Sequence, residues 1–145
     1  MKRIIGVFAI VLGTAAALYA QEKKGKNITP SKEVRAGFEK KFPGATNVKW
    51  EQEGADFEAG FKQKGEEVSA VFDKNGSLKE TETEIATAKL PALATSYLQK
   101  HYAGQKVKEA AKIVNADGTV NYEAEINKMD VLFDASGNFL KENRD

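Results

Sequence analysis

Apolar residues recur every three or four positions in two short stretches of this chain and every second position almost everywhere else. Val34, Phe38 and Phe42 are spaced by four, one stripe of a helix that Pro43-Gly44 ends. Thr29 and Pro30 supply an N-cap and a first-turn proline. Lys40 and Lys41 fall in the last turn, where the helix dipole favours cations. The period then changes to two. Val48 and Trp50 alternate with Lys49 and Glu51; Phe57, Ala59 and Phe61 with Glu58, Gly60 and Lys62; Val68, Ala70 and Phe72 with Ser69 and Val71. This predicts three strands with one apolar face. Turns at Glu53-Gly54-Ala55-Asp56, Lys64-Gly65 and Asp73-Lys74-Asn75-Gly76 are short enough to require antiparallel hairpins. A fourth strand is expected from Ser77 to about Thr83.

After a connection over residues 84–89 the same order returns. Leu90, Leu93, Ala94, Tyr97, Leu98 and Tyr102 form the stripe of a second helix from Leu90-Pro91 to Tyr102. Strands are expected over 106–115, 120–127, 129–134 and 138–142, with turns at Asn115-Ala116-Asp117-Gly118 and Asp134-Ala135-Ser136-Gly137. Three landmarks recur in order: Phe38 to Gly44 with Leu98 to Gly104, Phe57-Glu58-Ala59 with Tyr122-Glu123-Ala124, and Val71 to Gly76 with Leu132 to Gly137. The expected fold class is α+β, two tandem helix-plus-four-strand repeats with both helices on one face of a largely antiparallel sheet. Trp50, Phe57, Phe61, Phe72, Tyr122, Ile126, Val131 and Phe133 then point at the helices. Trp50 and Tyr122 need polar partners or an edge position. The opposite face carries Lys49, Glu51, Glu58, Lys62, Ser69, Glu123 and Glu125.

Composition changes the picture at the N-terminus. Lys2 and Arg3 precede an apolar run from Ile4 to Leu18 that Ala20 closes, the pattern of a secretory signal over residues 1–20. The competing reading is a retained anchor, but a span wants about 20 apolar residues, and Gly13 and Thr14 interrupt this run. Residues 21–28 read as a lysine-rich flexible leader, and residues 29–145 as one domain, with repeat one over 29–83 and repeat two over 90–143. The chain of 145 residues has formal net charge +1, which falls to −1 when Lys2 and Arg3 leave with the signal. A near-neutral chain has no electrostatic footprint for nucleic acid or an anionic membrane. With no cysteine, disulfides, thiolate metal sites and a cysteine nucleophile are excluded. Each repeat of roughly 50 to 60 residues is marginal alone, so the two are expected to share one core.

Candidate chemistry is sparse. His101 is the single histidine; it corresponds to Lys41 in the first repeat, and the expected role is a cation at a helix C-terminus. Asp73-Lys74-Asn75-Gly76 and Asp134-Ala135-Ser136-Gly137 share aspartate and glycine with a calcium loop but lack its further ligands and twelfth-position glutamate, so a turn role is expected. Glu58, Glu123 and Glu125 share one face and could act as acid–base carboxylates if their environments differed; with Lys49 and Lys62 nearby, a solvated face of mixed charge is expected instead. No catalytic, cofactor or metal residue is expected.

The run Phe38-Glu39-Lys40-Lys41-Phe42-Pro43-Gly44-Ala45, then Val48-Lys49-Trp50, Phe57-Glu58-Ala59, and Ala70-Val71-Phe72-Asp73 with Asn75-Gly76, resembles the PepSY-like, beta-lactamase-inhibitor-protein-like family of exported bacterial proteins. The resemblance covers about residues 30 to 143. Tyr102-Ala103-Gly104 departs from the family's aromatic-Pro-Gly form. The resemblance implies two repeats joined in one curved sheet, a periplasmic or secreted location, and a protein-binding or inhibitory role. The expectation is therefore a non-enzymatic module whose partner is another envelope or secreted protein, contacted through Lys49, Glu51, Glu58, Lys62, Glu123 and Glu125. The alternative is a periplasmic carrier of a small ligand or peptide.

Overall fold

A computed structural model describes residues 28–144; the expected signal segment and residues 21–27 of the leader lie outside them. The element order is α1 (Lys32–Lys41), β1 (Thr46–Glu53), β2 (Asp56–Gln63), β3 (Glu66–Phe72), β4 (Leu78–Ile85), a 3-10 turn (Thr87–Lys89), α2 (Ala92–His101), β5 (Glu109–Asn115), β6 (Val120–Ile126), β7 (Met129–Asp134) and β8 (Phe139–Arg144). The eight strands form one sheet in sequence order, each antiparallel to the next. The α+β class and the two helix-then-four-strand runs agree with the hydrophobic pattern.

Local chemistry moves several boundaries. Ser31, not Thr29, caps α1, its Oγ accepting from the Val34 N–H at 3.3 Å. α2 starts after Pro91, which offers no capping side chain. Both helices end on an aromatic residue with φ −126°, Phe42 and Tyr102, so the missing proline after Tyr102 leaves the second helix end unchanged. β5 begins three residues later than expected. β4 runs on to Ile85 because its pairing with β5 continues to Ile85↔Ala110, and β8 runs to Arg144 because its register with β7 continues to Met129.

The single shared core is not what forms. Val34 and Phe38 of α1 pack with Ala59, Phe61, Ala70 and Phe72 in one cluster, while Leu90, Ala94 and Leu98 pack with Ala110, Ala124, Ile126, Val131 and Phe133 in another. The reason lies at the junction of the halves. On the helix side, β4 and β5 pair Thr81 with Val114 and Thr83 with Lys112, a partly polar seam across which apolar packing does not run. A helix of ten residues spans only about 15 Å, enough to cover its own strands. What joins the halves is the β4–β5 ladder.

In the first cluster Phe38 meets Trp50, Phe61 and Phe72 edge-on, at centroid separations of 5.2, 5.0 and 6.1 Å, an arrangement the ring quadrupoles favour. Trp50 lies half-buried on the edge strand β1, and Tyr122 lies half-buried in β6.

The Asp-to-Gly turns have a second task besides reversing the chain. Asp73 Oδ1 accepts from the N–H groups of Asn75 and Ser77 at 2.8 and 2.9 Å, and Asp134 Oδ1 from those of Ser136 and Asn138, both at 2.9 Å. The turns so formed press their glycines against the helices. A methyl group on Gly76 would overlap the Glu33 carbonyl of α1, and one on Gly137 would stand 2.7 Å from the Ala94 nitrogen and 2.8 Å from Pro91 Cβ. Both glycines also hold positive φ, 81° and 91°. Gly118 has φ 84° but open space around it, which makes it the control. Gly118→Ala is expected to cost roughly 1 kcal/mol for the left-handed backbone alone, and Gly76→Ala on the order of 3 to 4 kcal/mol because α1 must also lift. Urea midpoints of the two variants measure the difference; equal losses would show that the helix contact is unimportant.

Candidate functional site

Strand alternation and register place one set of side chains on the face away from both helices. Glu51 lies opposite Glu58, Glu58 opposite Val71, and Val71 opposite Glu80. One row along, Gly60, Ser69, Glu82 and Ile113 line up across β2 to β5. Beyond these, Glu84, Ala111, Glu123 and Leu132 run from β4 to β7, followed by Glu109, Glu125 and Asp130.

Among the described residues no helix lies over this face, yet its centre is buried. Glu58, Ser69, Glu82 and Glu125 are each 7 % exposed, Asp130 5 % and Glu123 4 %, and Val71, Ala111 and Ile113 beside them are nearly inaccessible. On a flat sheet Glu82 and Asp130, three strands and four residues apart, would have Cα atoms roughly 20 Å apart; here Asp130 is near enough to add to the upward shift of the Glu82 carboxyl. The right-handed twist that accumulates over successive strands brings such positions closer together than a flat sheet would.

Burial changes the chemistry of these acids. It raises Glu58 from 4.5 to about 7, an effect that a hydrogen bond from Ser69 opposes and that repulsion from Glu53, Glu51 and Glu80 reinforces. Burial also raises Glu80, against the pull of Lys79. Glu82 is held well above the ordinary carboxylate range by burial first and then by Glu123, Glu58, Glu80 and Asp130. Cations stand at the margins: Lys62 on Glu67 at 3.0 Å, Lys79 on Asp56 at 2.5 Å and Lys108 on Glu125 at 2.8 Å.

All six residues singled out for partner contact lie on this face, but they divide. Lys49, Glu51 and Lys62 are exposed along the β1–β2 rim, whereas Glu58, Glu123 and Glu125 are buried. The expected solvated, mixed-charge face is thus corrected: the rim is mixed, and the centre is a buried carboxylate cluster. Glu80, Glu82 and Asp130 were not singled out from the sequence, although Glu80, Glu82 and Glu84 alternating with Thr81 and Thr83 is a readable signal for an acidic row.

His101 is exposed in the last turn of α2 and stacks on Tyr97 at 4.2 Å. It lines a hollow of about 500 Å³ with Tyr102, Lys128 and Arg144, on whose wall the Tyr102 hydroxyl donates to Glu142. A second hollow, of about 320 Å³, lies between α1 and β1 around Phe42, Val48 and Trp50. Neither is on the helix-free face. Among the described residues no group of three or more His, Cys, Asp or Glu side chains is arranged to hold a metal ion, and the turn aspartates are engaged by their own backbones.

With this geometry in hand, the family of proteins described as beta-lactamase-inhibitor-like and PepSY-like has a model that matches residues 55–141. The chain belongs to this family. A BLIP-like protein of Bacteroides fragilis is 25 % identical, with 80 % of this chain and 86 % of that one covered at a TM-score of 0.66. Two further solved structures share the fold at lower identity. A candidate periplasmic protein of Bacteroides eggerthii is 16 % identical, covering 79 % and 88 % with TM-score 0.72. A DUF2874 family protein of Bacteroides uniformis is 17 % identical, covering 79 % and 89 % with TM-score 0.72. No curated protein matches the chain. The PepSY-like family membership and the one-sided sheet confirm the resemblance drawn from the residues. Among the described residues no helix is long and apolar enough to cross a membrane.

The raised acids set a pH dependence. Glu58 binds its proton more tightly folded (about 7) than unfolded (4.5), so its stabilising contribution is complete below pH 4.5 and is lost as pH rises through 7. The exposed turn aspartates Asp73, Asp117 and Asp134 are lowered, chiefly by hydrogen bonds from within their own turns, and act oppositely below pH 3.8. Thermal stability is expected to peak near pH 4.5 and to fall towards pH 8. Glu58→Gln, which keeps the shape of the protonated acid, should flatten that fall and stabilise the protein at pH 8 by on the order of 3 kcal/mol. Parallel pH profiles for variant and wild type would contradict this.

Proposed function

We propose that this protein is an exported, non-enzymatic module that binds another envelope or secreted protein through the helix-free face of its sheet and so inhibits or regulates it. The observation that carries the reading is a sheet face that no helix covers among the described residues, rimmed by the exposed charges of Lys49, Glu51 and Lys62. Membership in a beta-lactamase-inhibitor-like family supports an inhibitor-like module. The candidate periplasmic assignment of a protein with the same fold supports an envelope location. The hollows around His101 and around Phe42 lie off this face.

Site-directed photo-cross-linking tests the reading. A cross-linking residue at Glu51 or Lys62 is expected to give the same discrete adduct in the intact envelope, reproducible with the purified partner, and none from Arg35 on the exposed side of α1. Adducts only from Arg35, or none from either face position, would overturn it.

A further inference from the structure

The sheet ends on β8, and the sequence of that edge is complementary to itself. We propose that a second copy of this chain pairs with the outer edge of β8, antiparallel about a two-fold axis at Asn143, joining two eight-stranded sheets into one. Such a dimer leaves the helix-free face of both copies uncovered, so it is independent of what binds there.

β8 holds in the second helix-then-four-strand run the place that β4 holds in the first. Their registers on the preceding strand match: Phe72↔Leu78, Val71↔Glu80 and Val68↔Thr83 for β4, Phe133↔Phe139, Leu132↔Lys141 and Met129↔Arg144 for β8, each with a shift at the same step. β4 gives its far edge to β5, from Glu80 to Ile85; among the described residues no strand lies beyond β8. Each helix packs on the strands of its own half, so α2 leaves the edge of β8 as accessible as α1 leaves that of β4. The Lys79 carbonyl accepts from the Ala116 N–H, just past β5, at 2.7 Å. Backbone groups of an antiparallel strand turn alternately to its two neighbours. Thr81 and Thr83 therefore face β5 as Lys79 does, and on β8 the backbone groups of Glu142 and Arg144 face outward. Ile28, where the described chain begins, donates to the Trp50 carbonyl on β1, at the opposite edge of the sheet.

A two-fold axis through such a pairing sets one residue opposite itself. Centred on Lys141, Glu142 or Arg144, it would place like charges face to face, which is destabilising. Centred on Leu140, it would rest on the residue at which β8 steps out of register with β7. Centred on Asn143, it sets Glu142 of each copy opposite Arg144 of the other, an outward-facing pair that exchanges both backbone hydrogen bonds. Glu142 and Arg144 are exposed and lie on the helix side, Glu142 being opposite Val131 of the core. The four side chains then form a square of alternating charge. Arg144 also lines the hollow at the end of α2 with His101 and Lys128, a cationic wall beside the arriving carboxylate. The Tyr102 hydroxyl donates to one oxygen of Glu142, which leaves the other for the guanidinium.

Sedimentation equilibrium of the chain from residue 21 onward, at low ionic strength, is expected to show a reversible dimer at concentrations on the order of 0.1 mM, in keeping with a short edge pairing. Hydrogen exchange at the Glu142 and Arg144 amides should slow as concentration rises. Glu142→Arg and Arg144→Glu should each weaken the dimer about tenfold. The two single variants mixed together, or the double variant alone, should recover it to within about threefold of wild type, because the charges are complementary again. Glu39→Arg on α1 should leave the dimer unchanged, and melting curves of the single variants at low concentration should match wild type. A monomer up to about 1 mM, a dimer indifferent to both swaps, single variants that do not complement each other, or a dimer that forms only after residues 21–27 are removed would each overturn the proposal.

Discussion

Each helix is seated on the sheet by a backbone-to-backbone contact that only glycine permits. The turn between β3 and β4 brings Gly76 against the Glu33 carbonyl, and the turn between β7 and β8 brings Gly137 against Pro91 and Ala94. A side chain at either place would push the helix outward and open the aromatic cluster around Phe38 or the aliphatic one around Leu98. Because the turn and its helix are fixed together, each half packs as a unit, and the continuous β4–β5 ladder aligns the two. The remainder of the architecture follows from both helices taking the same side.

One-sided cover has an energetic consequence. With the large aromatic side chains of the strands packed under the helices, the other face need not be wholly apolar, and acids share it with Val71, Ala111 and Ile113. Glu58, Glu82, Glu123, Glu125 and Asp130 are nevertheless out of water. Hydrophobic packing therefore works against carboxylate solvation. The conflict is resolved at the centre by proton retention, and at the margins by Lys62, Lys79 and Lys108.

Much of the fold could be read from residue order because packing and turn chemistry leave periodic traces. Phe57, Phe61, Phe72, Ile126, Val131 and Phe133 announce one buried face by alternation, and the Asp-to-Gly turns announce hairpins. The same alternation assigned Lys49, Glu51, Glu58, Lys62, Glu123 and Glu125 to the opposite face. The second role of Gly76, pressed against a helix more than forty residues back, leaves no trace beyond the glycine itself. Thr81, Thr83 and Lys112, which divide the core in two, read in sequence as ordinary polar strand positions.

Sequence by itself determined the elements, their order, which side of the sheet each residue takes, and the family, since these depend on period, turn residues and local motif. Tertiary structure alone decided which carboxylates are buried and which remain on a wet rim. Period two specifies a direction relative to the sheet plane but not the curvature of that plane. Burial is a collective result of packing across the whole domain, and it separates Glu82, which is buried, from Glu51, which is exposed.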